Sequence, residues 1–185
     1  DEGIVDTVKN YLATEPLMVE LKLLHSPIIS NQNNKSGSQL FHCDYDDDQI
    51  VKVFLNIFDV DKNTGPLEAL SADKSAFIKK KLKLNLGEHT DHIENYITND
   101  EIRSFIGKRG DLTLIDTSSC FHRGSYGTKK DRLILYANFV SRNSYRFTPI
   151  FKNVKDQNIN KLHSPLSKLS YLVSSREKKF YLNNK

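Results

Sequence analysis

"QLFHCDYDDDQIVKVFLNIFD", residues 39–59, sets a histidine and an aspartate two positions apart, ahead of an acidic run and a β-branched, aromatic stretch. Residues 50–59 predict a buried strand. Side chains two apart on an extended chain point the same way, so His42 and Asp44 share a face while Cys43 takes the other. Two ligands do not make a metal site. Taken alone, the pair reads more readily as a strand end running into a solvated turn at Asp46, Asp47 and Asp48. What decides between the readings is whether the chain supplies a third ligand.

It offers one in "DTSSCFHRGSYGTKKDRLILY", residues 116–136, where His122 follows the predicted strand "DLTLID" and Arg132 opens the next. Two imidazoles and one carboxylate on one face of an octahedron form the non-haem Fe(II) triad, which leaves positions open for co-substrate and O2. A guanidinium nearby can grip the far carboxylate of a diacid through two parallel charge-assisted bonds. Within "IDTSS", Asp116 and Thr117 are expected to stabilise the turn before His122. Lys52, Phe54, Asn56 and Phe58 share one face of their strand. If that face looks inward, Lys52 or Asn56 reaches a co-substrate or substrate; packed core is an equally good reading.

The 185 residues carry a net charge of +4, with 38 % hydrophobic and 27 % charged positions, which describes one ordinary globular domain. The mild charge gives no reason to expect a nucleic-acid partner. The lysine cluster at 79–83 reads as one solvated helix face. Cys43 and Cys120 are too few for a disulfide framework and are expected to be free thiols in a reducing, cytoplasmic setting. No apolar run reaches the ~20 residues of a membrane span.

Apolar residues at Ile4, Val5, Val8, Tyr11 and Leu12 predict a helix stopped near Pro16. "LMVELKLL" (17–24) and "RLILYANFV" (132–140) predict strands. Ser71 is a candidate N-cap for a helix ending near Gly87. "EIRSFIG" and "DLTLID" around "KRG" predict a hairpin, and Ser164–Pro165 could open a terminal helix. Strands separated by turns, with helices mainly at the ends, point to a β-sandwich or barrel flanked by helices. The whole chain, 1–185, is expected to be a single domain.

The pattern resembles the phytanoyl-CoA dioxygenase-like branch of the Fe(II)/2-oxoglutarate-dependent oxygenases. The pieces that carry the resemblance are "QLFHCDYDDDQIVKVFLNIFDVDKNTGPL", "GKRGDLTLIDTSSCFHRG" and the strand from Arg132, together spanning about 38–141. The resemblance implies a double-stranded β-helix (jelly roll, cupin-like), with His42, Asp44 and His122 binding Fe(II) and Arg132 binding the far carboxylate of 2-oxoglutarate. It implies a dioxygenase that uses O2 to hydroxylate a small molecule, releasing succinate and CO2. Asp44 fills the place that is small in related halogenases, which favours hydroxylation. The sequence departs from the family in two places: "EALSADKS" replaces the usual "PGSH" loop after "GPL", and the 41 residues before His42 are few for this family. The rival reading is a non-catalytic jelly-roll module that binds a metabolite or sugar; a cupin-type metal enzyme has no need of Arg132.

His89-Thr90-Asp91 repeats the HxD spacing with His92 beside it. Too little chain separates it from His122 for the strands and crossover of a jelly roll, and a solvated cluster is the better reading. The substrate pocket is expected to be built from 28–37, 71–100 and the tail after Ser141.

Overall fold

A computed structural model describes residues 2–28, 37–45, 47–84, 92–127, 129–142 and 144. The decoy at 89–91, Asp46, Gly87 and the candidate helix at 164–165 lie outside these.

Helix α1 (Glu2–Leu12) places Val8 and Leu12 against the outer face of a sheet, where they pack with Val51, Val53 and Phe139. That sheet has four strands in the order β1-β7-β2-β5: β1 (Pro16–Ser26), β7 (Arg132–Ser141), β2 (Ile50–Asn56) and β5 (Leu112–Asp116). All the pairings are antiparallel. A smaller antiparallel sheet runs β4-β3-β6, built from β4 (Arg103–Phe105), β3 (Leu67–Ala69) and β6 (His122–Gly124). Leu67 and Ala69 of the small sheet meet Ile115 and Phe54 of the large one, so the two sheets close on a shared interior.

Alternation along β7 sets which groups enter that interior. Arg132, Ile134, Tyr136, Asn138 and Val140 are all buried at every second position. On β2 the inward set includes Lys52 and Phe54, while Val51 and Val53 turn out toward α1.

Helix α2 (Ala72–Leu82) begins where Ser71 Oγ accepts from Lys74 N–H, as its cap pattern predicted. It ends earlier than Gly87, because Lys83 takes the left-handed region (φ 50°) and its N–H closes on Lys79 O. Ile78 of this helix joins Phe41, Cys43, Leu70, Ile93 and Phe121 in a second core beneath the small sheet. Lys80, Lys81 and Lys83 are exposed, as a solvated face requires, but Lys79 is half-buried and donates to Ser118 O at 2.8 Å.

Two further sequence expectations give way. The hairpin across "KRG" is not formed: β4 pairs with β3 and β5 pairs with β2, so the segments join opposite sheets. The connection is pinned from elsewhere. Gly107 and Val60 exchange backbone bonds, Asn56 O accepts from Gly110, and Gly110 turns the chain at φ 92°. Strand β2 also stops at Asn56, short of residue 59, and leaves Phe58 exposed.

Candidate metal centre and diacid pocket

His42 and His122 are directly opposed residues of an antiparallel bridge, exchanging backbone hydrogen bonds at 3.1 and 2.9 Å. Asp44 is fixed two residues on, where its N–H donates to Thr117 O at 2.8 Å. The side chain of Cys43 points away into the core with Phe41. The alternation inferred for "HCD" therefore holds in three dimensions.

One ligand atom from each of His42, Asp44 and His122 lies within 4.8 Å of the others. Nε2 of His42 is 4.0 Å from Asp44 Oδ1, and Nε2 of His122 is 3.8 Å from Asp44 Oδ2. Each imidazole bonds a backbone carbonyl through Nδ1, His42 to Leu40 O (2.8 Å) and His122 to Cys120 O (3.1 Å). A carbonyl only accepts, so Nδ1 carries the proton and Nε2 presents its lone pair to the cluster. Bonds of this kind orient metal-binding imidazoles.

The electrostatics favour the same state. Burial first, and then the neighbouring His42, push His122 down to about 4, so it is neutral near pH 7. Burial alone would raise Asp44, but His122 and Lys52 outweigh it and hold the carboxyl below its usual value. A carboxylate, a neutral His122 and a second imidazole whose Nδ1 is likewise committed to a carbonyl suit a divalent cation that accepts nitrogen and oxygen donors.

His42, Lys52, His122 and Arg132 line one cavity of about 440 Å³. Arg132 is only 8 % exposed, and Nη2 reaches Ser26 Oγ at a long 3.4 Å while Nε has no partner among the described residues. Burial lowers its pKa to about 10, which leaves it charged at neutral pH. A buried guanidinium whose Nε lacks a partner among the described residues suits a planar anion. Lys52 also faces inward, with Nζ 2.7 Å from Asp44 Oδ2. Asn56 is not brought to the cavity. Its amide donates to Lys108 O at 3.4 Å, and it lines a separate void of about 10 Å³ that Arg132 also borders.

Asp116 ties the turn before His122 as expected, while Thr117 enters it through its backbone, donating to Ile50 O and accepting from Asp44 N–H. Asp116 accepts from Ser118, Ser119 and Tyr11, the last at 2.6 Å. Burial raises both thiols, Cys43 to about 11, so they stay protonated and unreactive near pH 7.

The described part of the pocket wall is not where the sequence placed it. None of the described residues of 71–84 or 92–100 lines the cavity; residues 24–27, 38–39 and 124–127 do. The "GP" turn explains part of this. Gly65 sits at φ 71°, and a Cβ there would lie 2.5 Å from Gly127 N and Ser125 O, so glycine lets the turn press the 125–127 segment over the cavity. Ser26 was not foreseen. Its place beside Arg132 follows from the β1–β7 register, which no local pattern encodes.

No protein-family model matches the sequence, and no curated protein sequence does. Solved structures do match. EctD from S. alaskensis with 2-oxoglutarate and 5-hydroxyectoine aligns at a TM-score of 0.58 and 15 % identity, over 78 % of this chain and 51 % of that one. The non-heme alpha ketoglutarate dependent epimerase SnoN from nogalamycin biosynthesis aligns at 0.55 and 14 % identity, over 75 % and 54 %. EctD with bound Fe aligns at 0.52 and 12 % identity, over 78 % and 51 %. The fold is a double-stranded β-helix. At such low identity the likeness establishes architecture alone, and the chain spans about half the length of these structures.

Proposed function

We propose that the chain is an Fe(II)- and 2-oxoglutarate-dependent dioxygenase, of the phytanoyl-CoA dioxygenase-like branch, that hydroxylates a small molecule. The observation that carries this reading is the pairing of two features in one interior: three converging donors from His42, Asp44 and His122, and a buried Arg132 whose Nε has no partner among the described residues.

In this reading His42 Nε2, His122 Nε2 and an Asp44 oxygen hold the iron. When bound, the iron and its co-substrate supply the O2 activation that the polypeptide lacks, with loss of CO2 and succinate from 2-oxoglutarate. Arg132 fixes the distal carboxylate, with the Ser26 hydroxyl beside it as a second donor. The Leu40 and Cys120 carbonyls hold both imidazoles in the metal-binding tautomer. Phe54, Leu67 and Ile134 flank Arg132 and keep water from competing for the guanidinium. The segment at 125–127 covers the cavity and bears on which substrate enters.

The test is succinate release from 2-oxoglutarate with Fe(II), repeated with Asp44→Ala and Arg132→Ala. Turnover that depends on both side chains supports the reading. A protein that binds a metabolite yet consumes no 2-oxoglutarate is the non-catalytic module instead.

A further inference from the structure

The two oxygens of Asp44 lie at similar distances from the imidazoles, 4.0 Å from His42 Nε2 and 3.8 Å from His122 Nε2. Nothing in the triad itself decides which oxygen, or whether both, would meet a cation. The lysine of β2 breaks that symmetry. Its Nζ lies 2.7 Å from Oδ2, with both side chains largely buried (16 % and 13 % exposed). It is steadied from behind by the Tyr136 ring, whose centroid is 5.6 Å away.

We propose that Lys52 is a positioning residue that occupies Asp44 Oδ2 and so leaves Oδ1 alone to the metal. This rests on the iron reading above. A facial triad takes three of six positions, a 2-oxo acid takes two, and one remains for O2. A carboxylate bound through both oxygens would consume a further position and leave too few for both reactants. An ammonium on Oδ2 prevents this. Oδ2 has no hydrogen-bond partner of good geometry among the described residues, so it is the fixed positive charge of this ion pair, 2.7 Å away in a buried setting, that holds the oxygen. Lys52 thereby acts through Asp44, keeping a coordination position free.

The experiment uses Co(II) as the metal probe. Wild type, Lys52→Met and Lys52→Arg are titrated with Co(II) and then with 2-oxoglutarate, and followed by visible d–d absorption and calorimetry without turnover. Lys52→Met is expected to bind Co(II) at least as tightly as wild type, with an altered d–d spectrum before any diacid is added. Its 2-oxoglutarate affinity should fall by about 10-fold or more, the scale of lost partners to metal ligands, and Lys52→Arg should recover most of it.

Wild-type 2-oxoglutarate affinity in Lys52→Met would overturn the proposal. So would an unaltered spectrum with weakened diacid binding, which means Lys52 touches the diacid itself, and so would joint loss of Co(II) and diacid, which means it only holds the site together. Wild-type protein that takes up neither probe would instead fail the iron reading itself, and this assignment with it.

Discussion

His42 and His122 exchange both backbone hydrogen bonds and bring their ring centroids to 4.3 Å, although they come from distant stretches of the chain. The bridge sets the spacing of the two Nε2 atoms before any metal arrives. Much of the site's geometry is thus paid for in the folding of the backbone, which is what preorganisation means here.

Arg132 is the residue whose loss should separate co-substrate from metal. Arg132→Leu removes the fork and leaves an apolar side chain among Phe54, Leu67 and Ile134. Affinity for 2-oxoglutarate should fall by about 2 kcal/mol or more, roughly thirty-fold, since bonds to charged groups each contribute about 1.5–3 kcal/mol. Metal affinity should change little. Calorimetric titration with Co(II), then with 2-oxoglutarate, checks both.

Gly65 is required by both its backbone and its surroundings. Gly65→Ala puts a methyl at φ 71° and within 2.5 Å of the 125–127 backbone. The strained backbone alone costs about 1–3 kcal/mol, and the clash displaces the cavity cover. A lower urea midpoint together with weaker 2-oxoglutarate binding is expected. An unchanged midpoint would mean that the 62–66 turn moves freely.

Acid should destabilise the metal-free protein within a defined window. His122 is held down to about 4 in the fold, against about 6.5 when unfolded. Between those values the unfolded chain binds the extra proton, so stability falls as pH drops from about 6.5 toward 4 and is unaffected by this group above that range. Asp44, lowered from 3.8, loses its contribution only at still lower pH. Thermal midpoints of the metal-free protein from pH 8 to 4 should show the decline, and His122→Gln should flatten it.

Ile78 is fully buried between α2 and the Phe41–Phe121 core that underlies His42 and His122. Ile78→Ala should cost about 2–5 kcal/mol of stability. Phe41 and Phe121 adjoin His42 and His122 in sequence, so metal affinity should weaken in the same variant. Chemical denaturation paired with Co(II) titration measures both effects.

Local patterns carried much of this. The apolar spacing around Val8 and Leu12 marks α1, Ser71 marks the start of α2, and the two-residue period of "HCD" already separates His42 and Asp44 from Cys43. What escaped was set by long-range pairing. Phe105 and Leu112 look like arms of one hairpin because a short glycine-containing turn joins them; only their partners, Leu67 and Leu55, send them to opposite sheets. Lys52 could be placed on a face that would look inward, yet its ion pair with Asp44 depends on how the loop after His42 folds back onto Thr117. Ser26 meets Arg132 through strand register alone. Asn56 shows the converse: it keeps the inward period of Lys52 and Phe54, but the strand ends there and its amide is taken up by Lys108.

The most direct measurement is anaerobic addition of Fe(II) and then 2-oxoglutarate to the protein, followed by visible absorption. The account predicts a weak metal-to-ligand charge-transfer band in wild type that is lost in Asp44→Ala and needs far more 2-oxoglutarate in Arg132→Leu. No band in folded wild-type protein at saturating Fe(II) and 2-oxoglutarate, or a band indifferent to both substitutions, would contradict it.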